Sequence, residues 1–575
     1  MITMENPTMT ETLEKKLDKI VKKACKRYRV KAASIAIVSH DDTLYENHYG
    51  VIDGEKTPND EKKKMMIGSN TKMLTALAIL KLKDEEKLDL DLDVRHYLPD
   101  FSVRSRFGEQ EITVRDLLMH CSGLPCDDYT LITDANKDLS DVLPVLSDAH
   151  MIAKPKTMPA YSNLGYGLLG LIIEAVSDKS YTDYITENIN KPLGLSVEFI
   201  TDEKMITDRN DIALSFDVKG NTRIDPLSSI LSAGSNTYAT LSDMKKLLWY
   251  FLNPETQQLL EKETFESMIS RPDNDFLLDE EYVSGLGLRH GYMRFYNHEE
   301  TGPVIGHGGN TIYHHSTFDF LPELRLGFTI MTNSRLGNVA ANKMRQKMMV
   351  AVLEAQGIAM PKKQKPTCET TRTEKKIPAE SYVMTGMKLP VKRNLFKKTV
   401  FKTSFLKFTL KPCDDGFFQA HPKGLSRLPF LSSMVRSLRL RPETVAEHDV
   451  LYMEQNGKYA KATAAVAAKY QEPQVNESWK EALGKYNIKE SGSPLAKLFS
   501  GPELKMSGED LILQLKVFGQ SAKYYLLVLD KNHAIVQGYG RNARETVYLL
   551  KDNNDYCQIT LQGVRFEKRT LDNLA

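Results

Sequence analysis

The chain has 575 residues, 41% hydrophobic and 26% charged, which excludes a disordered or collagen-like polymer and gives room for several cores of roughly 100 to 200 residues each. Its 77 Lys and Arg almost balance 75 Asp and Glu, and a net charge of +2 gives no overall pull toward nucleic acid or an anionic membrane. The charged stretch Met1 to Lys26 lacks the apolar core of a secretory signal, and the longest apolar segment, Leu164 to Val176, is too short and glycine-interrupted to span a bilayer. A soluble, cytoplasmic protein is expected. The six cysteines, Cys25, Cys121, Cys126, Cys368, Cys413 and Cys557, show no CxxC or zinc spacing and read as free thiols.

In chain order, residues 11–28 place Leu13, Leu17, Ile20, Val21 and Ala24 on one face of an amphipathic helix. Ala33 to Ser39 and Thr43 to Val51 form a hairpin around His40-Asp41-Asp42. Helical patterns follow at Met73 to Lys83 and Leu164 to Ser177. A second hairpin, Ser316 to Leu321 and Leu326 to Met331, turns at Pro322-Glu323 and precedes a helix over about Asn338 to Ala355. The economical fold for 1–355 is α+β: one antiparallel sheet built from both ends of the segment, flanked by helices, with a helical region inserted between them.

Residues 356–380 read as a linker, since Pro361 to Glu380 mixes prolines and lysines without periodicity. Strand-like runs such as Thr399 to Leu410 make 381–470 a β-rich accessory segment. The polar stretch Gln471 to Ser478 opens a last domain, 471–575, with strands expected at Leu504 to Met506, Leu511 to Leu515, Tyr524 to Leu529, Ala534 to Val536, Glu545 to Leu550 and Gln558 to Val564.

Three short patterns carry chemistry. Gly68-Ser69-Asn70-Thr71-Lys72 stands at a helix start, so Ser69 and Lys72 share one face. A serine hydroxyl needs a base within reach, and a lysine whose pKa is lowered by burial can serve. The pattern SxxK alone arises by chance about once in a chain of this length. Tyr161-Ser162-Asn163 sits at the entrance to the helix near Leu164, offering a phenol and an amide; an ordinary core-edge tyrosine and a helix N-cap are the alternatives. Gly306-His307-Gly308-Gly309-Asn310 precedes the second hairpin and exposes backbone N–H groups to a ligand, or is simply a tight turn with an exposed histidine.

In that order the three motifs resemble the serine β-lactamase and penicillin-binding-protein superfamily, nearest to the class C β-lactamase branch with its D-aminopeptidases and esterases. Asp116 to Pro125, Lys87 to Asp91, Pro192 to Leu195 and Phe320 to Glu323 share the likeness, which covers about residues 10–355. The resemblance implies an acyl-enzyme on Ser69, with Lys72 and Tyr161 relaying its proton. It also implies that Asn163, His307, Gly308, Gly309 and Asn310 contact substrate, and that the N–H groups of Ser69 and Asn310 form the oxyanion hole. The implied reaction is hydrolysis of amide, peptide (D-amino-acid bonds included) or ester bonds of small molecules or short peptides. Acyl transfer and a non-catalytic binding role on the same fold are the alternatives. Gly308 lacks the hydroxyl that relatives use toward a substrate carboxylate, and Asn310 to His315 replaces their glycine-rich turn, so a dedicated β-lactamase is not expected. The block opening with Trp479, Leu483, Gly484, Lys485 and Tyr486 is similar to the lipocalin-like modules of some of these hydrolases.

The basic segment 392–441, Arg439 included, reads as a solvated face; its sharper alternative is a membrane-surface or partner-binding helix over Leu425 to Leu440. Neighbouring His314 and His315 point to opposite faces of a strand, so no metal is expected, nor any cofactor or nucleic-acid partner. Oligomerisation through the C-terminal modules is open.

Overall fold

The computed structural model describes residues 10–569, apart from 134–136, 208, 224–231, 257–258, 273–282, 292–297, 361–376, 385, 394–398, 403–406, 414, 429–431, 433–434, 446–447, 457–460, 490–497, 518 and 553–554. Helix α1 (Glu11–Tyr28) leads into strands β1 (Ala32–Val38) and β2 (Thr43–Gly50). Five later strands join the same sheet: β3 (Val283–Ser284), β4 (Arg289–His290), β5 (Ile305–Asn310), β6 (His315–Leu321) and β7 (Leu326–Thr332). Their order is β2-β1-β7-β6-β5-β4-β3, antiparallel throughout, so the two ends of the segment meet where β1 pairs with β7, Ile35 opposite Ile330.

Side chains alternate across β1. Ala33, Ile35 and Ile37 pack with Leu13, Leu17 and Val21 of α1 and with Met344 and Met348 of the closing helix, Gly337–Ala355. Ala36 and Val38 face the other way, onto α2 (Thr71–Asp84), α3 (Asn163–Ser177) and α4 (Leu241–Leu252). Helix α2 is buried on all sides from Thr71 to Leu80, as a helix apolar all round must be. Lys72 therefore enters the protein interior with its helix.

Two barrels follow. Eight strands from Ser381–Met384 to Lys461–Lys469 close the first, and eight from Gly484–Ile488 to Val564–Lys568 close the second. Each strand pairs with its sequence neighbour, the up-and-down, lipocalin-like arrangement, and closure removes the exposed edges an open sheet would leave. Trp479, Tyr486, Leu513 and Phe566 are among the residues that fill the second barrel.

Several expectations need correction. Gln558 to Val564 is not one strand: Asp555–Leu561 ends in a turn at Gln562 (φ 50) and Gly563 (φ 78) before Val564–Lys568 begins. The β-rich segment expected at 381–470 is borne out, and its strands close into a barrel. Leu425 to Leu440 is not a continuous helix, for Gly424–Arg427 is a short 3-10 turn and Leu438 opens a strand, with 429–431 and 433–434 outside the described residues. Nor is 392–441 wholly a solvated face. Arg439 is 6% exposed, ion-paired to Glu454 and Asp415 and stacked on Phe417. Of the linker expected at 356–380, residues 361–376 lie outside the described residues, as does Cys368. Cys25, Cys121 and Cys126 are buried free thiols, and Cys413 is buried.

All three bodies meet next to Tyr161. Ile152, Ala153, Met158 and Ala160 pack against Val445 and Val450 of the first barrel and Tyr539 of the second. Glu545 of the second barrel accepts the Cys126 N–H at 2.7 Å, and Gln562 O accepts the Tyr129 N–H at 3.0 Å.

Candidate active site

Ser69 lies in a 3-10 turn, Gly68–Asn70, that runs straight into α2. The turn is pressed against β5. Gly68 has φ +54, and a Cβ there would sit 2.9 Å from Asn310 N; a Cβ on Gly309 would sit 1.8 Å from Ile67 O. Two glycines are thus the condition for bringing the Ser69 backbone alongside that of Asn310.

Ser69 Oγ and Tyr161 Oη share a 2.8 Å hydrogen bond, and Lys72 Nζ donates to Ser69 Oγ at 3.4 Å. Lys72 is wholly buried and also donates to Asn163 Oδ1 at 2.7 Å and Gly234 O at 2.9 Å. Burial pulls its pKa below the ordinary lysine value, against the opposing pull of Tyr161 and Asp127. Burial would raise Tyr161, but Lys72, Arg289 and Arg541 together hold the phenol below its usual value. Those cations surround the ring: Lys72 Nζ is 5.0 Å from its centre, Arg289 Cζ 5.2 Å and Arg541 Cζ 4.7 Å. Ser69 thus faces two proton acceptors whose environments bring them toward neutral pH.

Asn163 is the first residue of α3 and not its cap; Ser162 Oγ caps the helix, accepting from Gly165 N at 2.9 Å. That frees the Asn163 amide to bridge Lys72 and Asp127. His307 is buried on β5, not exposed on a turn, with Nδ1 2.9 Å from Gly308 O and its ring 6.4 Å from that of Tyr161. Burial first, then Arg289 and Lys72, keep it well below the ordinary imidazole value and hence neutral. Gly308 and Asn310 line a cleft of about 250 Å³ with Ser69, Tyr161 and Asn163. Gly309 is the point of contact with Ile67.

Sequence reasoning missed Asp127, Arg289, the Gly234 carbonyl and Arg541. Asp127 is 4% exposed and links Asn163 to Arg541, whose Nη2 lies 3.3 Å away. Among the described residues no cluster of His, Cys, Asp or Glu has metal-binding geometry, and no helix is long and apolar enough to cross a membrane.

A buried lysine and a phenol on one serine, beside a glycine-lined strand, bring together a hydroxyl, two proton acceptors and exposed backbone N–H groups, the parts that acyl-enzyme chemistry needs. The family model described as Beta-lactamase matches residues 17–353, and the chain belongs to that family. Protein flp of Staphylococcus aureus strain N315 is 30% identical over 338 residues, 56% of this chain and 64% of flp, so the chain spans less than two thirds of that relative. SurE, solved with D-Leu, superposes with a TM-score of 0.55 at 19% identity, covering 80% of this chain and all of SurE. The octameric penicillin-binding protein homologue from Pyrococcus abyssi gives 0.51 at 20% identity, covering 97% of this chain and 100% of its own. At these identities the two structures speak for the fold.

Proposed function

We propose that this protein is a serine hydrolase that acylates Ser69 and cleaves amide, peptide or ester bonds of small substrates. The observation that carries the reading is the 2.8 Å contact of Ser69 Oγ with Tyr161 Oη, backed by Lys72. As Ser69 Oγ bonds to the substrate carbonyl carbon, its proton passes to the Tyr161–Lys72 pair, which shares it as one unit. The oxyanion is met by the N–H groups of Ser69 and Asn310, whose backbones the two glycines hold together. The carbon–nitrogen or carbon–oxygen bond to the leaving group then breaks, and the pair returns the proton to it. Water attacks the ester on Ser69 by the same path and restores the hydroxyl. Asn163 and the edge of β5 at Gly308 to Asn310 hold the acyl portion, and neutral His307 supports the wall behind Tyr161.

The cleft suits a small acyl group, with Tyr129 and Ile312 as apolar surface beside its polar lining. SurE was solved with D-Leu, which favours D-amino-acid derivatives as the first substrates to try. Intact-mass spectrometry after exposure to a fluorophosphonate is expected to show one adduct, absent from Ser69→Ala. An unmodified wild-type chain overturns the reading. A panel of esters and D-aminoacyl amides, run on both proteins, then identifies the bond cleaved.

A further inference from the structure

Arg541 belongs to the second barrel, yet it lines the same cleft as Ser69. It stands in the connection Gln537 to Glu545 between the strands His533–Val536 and Thr546–Asp552. Asn542 (φ 63) and Arg544 (φ 61) hold left-handed backbone there, a conformation that an arginine adopts only at a cost. Such strain persists only where the surroundings fix it. Here they do: Tyr539 is packed against Ala160, Glu545 accepts from Cys126 N, and Arg106 Nη2 donates to Arg544 O at 3.2 Å. The connection is clamped on both sides of Arg541.

The Arg541 side chain remains 52% exposed, with its Asp127 ion pair made by Nη2 at 3.3 Å. Asp127 is 4% exposed and already engaged by Asn163, so it does not neutralise the cleft as a whole. Arg289 and Arg335 line the same cleft, and Asp127 is the carboxylate among the described residues that line it. Arg335 Nη1 is tied to Ile312 O at 3.1 Å. Arg541 is the exposed guanidinium on the Asp127–Asn163 side, where the acyl portion is placed, and a guanidinium so presented matches a carboxylate with two parallel N–H donors.

We propose that Arg541 is a specificity-determining residue, supplied by the second barrel, that binds a carboxylate on the acyl portion of the substrate. The inference rests on the acyl-enzyme reading of Ser69. The plain alternative is that Arg541 only clasps the two domains together or only sets the charge around Tyr161. Either role affects charged and neutral substrates alike.

The test uses full-length protein and esters that share one leaving group: p-nitrophenyl hydrogen glutarate, p-nitrophenyl valerate and p-nitrophenyl 4-(trimethylammonio)butyrate, each corrected by Ser69→Ala. In wild type the glutarate is expected to exceed the valerate in kcat/KM by about 10- to 100-fold, the worth of a hydrogen bond to a charged group. Arg541→Ala brings that ratio near one whatever it does to the absolute rates, Arg541→Lys keeps part of it, and Arg541→Glu turns the preference toward the cationic ester. A second readout needs no turnover: glutarate slows fluorophosphonate labelling of Ser69 in wild type but not in Arg541→Ala. An unchanged glutarate-to-valerate ratio in Arg541→Ala and Arg541→Glu, or equal protection in wild type and Arg541→Ala, overturns the proposal. Absence of any Ser69 adduct instead overturns the hydrolase reading beneath it.

Discussion

Asp127 Oδ1 accepts a 2.5 Å hydrogen bond from Asn163 Nδ2, and through that amide a carboxylate that makes no contact with Ser69 bears on Lys72. Its negative charge favours the ammonium form and opposes the effect of burial. Asp127→Asn keeps the shape and removes the charge, so the Lys72 pKa falls further. The ascending limb of the pH profile of kcat/KM moves to lower pH. A limb that moves upward refutes the link.

Gly68→Ala tests the pressed contact between the serine turn and β5. The new Cβ meets Asn310 N at 2.9 Å on a backbone with φ +54, at a cost of about 1–2 kcal/mol. Displaced oxyanion donors lower kcat/KM by about 100-fold or more, while most of the stability is retained. Pre-steady-state acylation and thermal melting, measured together, separate the two effects.

Glu545 is buried at the joint with the second barrel, and burial, with Asp127 and Asp128 nearby, raises its pKa from 4.5 to about 7. Between those values the folded chain keeps a proton that the unfolded chain has released. This group's contribution to stability therefore declines as pH rises through that window and levels off above about 7. Glu545→Gln can still accept the Cys126 N–H but carries no charge. Relative to wild type, its Tm is expected to be higher at pH 8 than at pH 5 by roughly 3–6 °C. Parallel melting curves at both pH values would remove the carboxyl from the account.

Arg439→Ala removes the guanidinium paired with Glu454, whose side chain is 1% exposed. Breaking a buried pair on one side costs about 3–5 kcal/mol, whereas replacing both partners with apolar residues costs far less. Hydrogen exchange is expected to rise within 381–470 in Arg439→Ala and to recover in Arg439→Met/Glu454→Leu. Exchange that rises equally elsewhere contradicts a local role.

The parts of this protein legible in its sequence are those made by near neighbours. Ser69 and Lys72 are one helical turn apart, the β6–β7 hairpin turns on Pro322, and the helix at Leu164 announces itself by apolar content. Asp127 and Arg541 are 414 residues apart, and neither sits in a pattern that differs from an ordinary loop. Gln562 hides a turn because nothing about glutamine signals a φ of 50. Arg439 looks like its solvated neighbours until Glu454 is placed opposite it across two strands. The glycine pattern Gly306 to Asn310 stands out in the sequence, but the burial of His307 on a strand does not, because a lone histidine among glycines reads equally as a turn.

The three-body junction beside Tyr161 has a consequence for how the protein comes into being. The Glu545 contact to Cys126 closes a span of 419 residues, and Arg541 reaches Tyr161 from the second barrel, made well after the serine motif. At translation rates of about 5–20 residues per second, the serine motif leaves the ribosome roughly 20–90 s before that arginine exists. A ribosome that stops short of residue 541 releases a chain holding Ser69, Lys72 and Tyr161 but missing one of the cations around the phenol. The full set of charges around the Tyr161 phenol is therefore present only once the second barrel has been made.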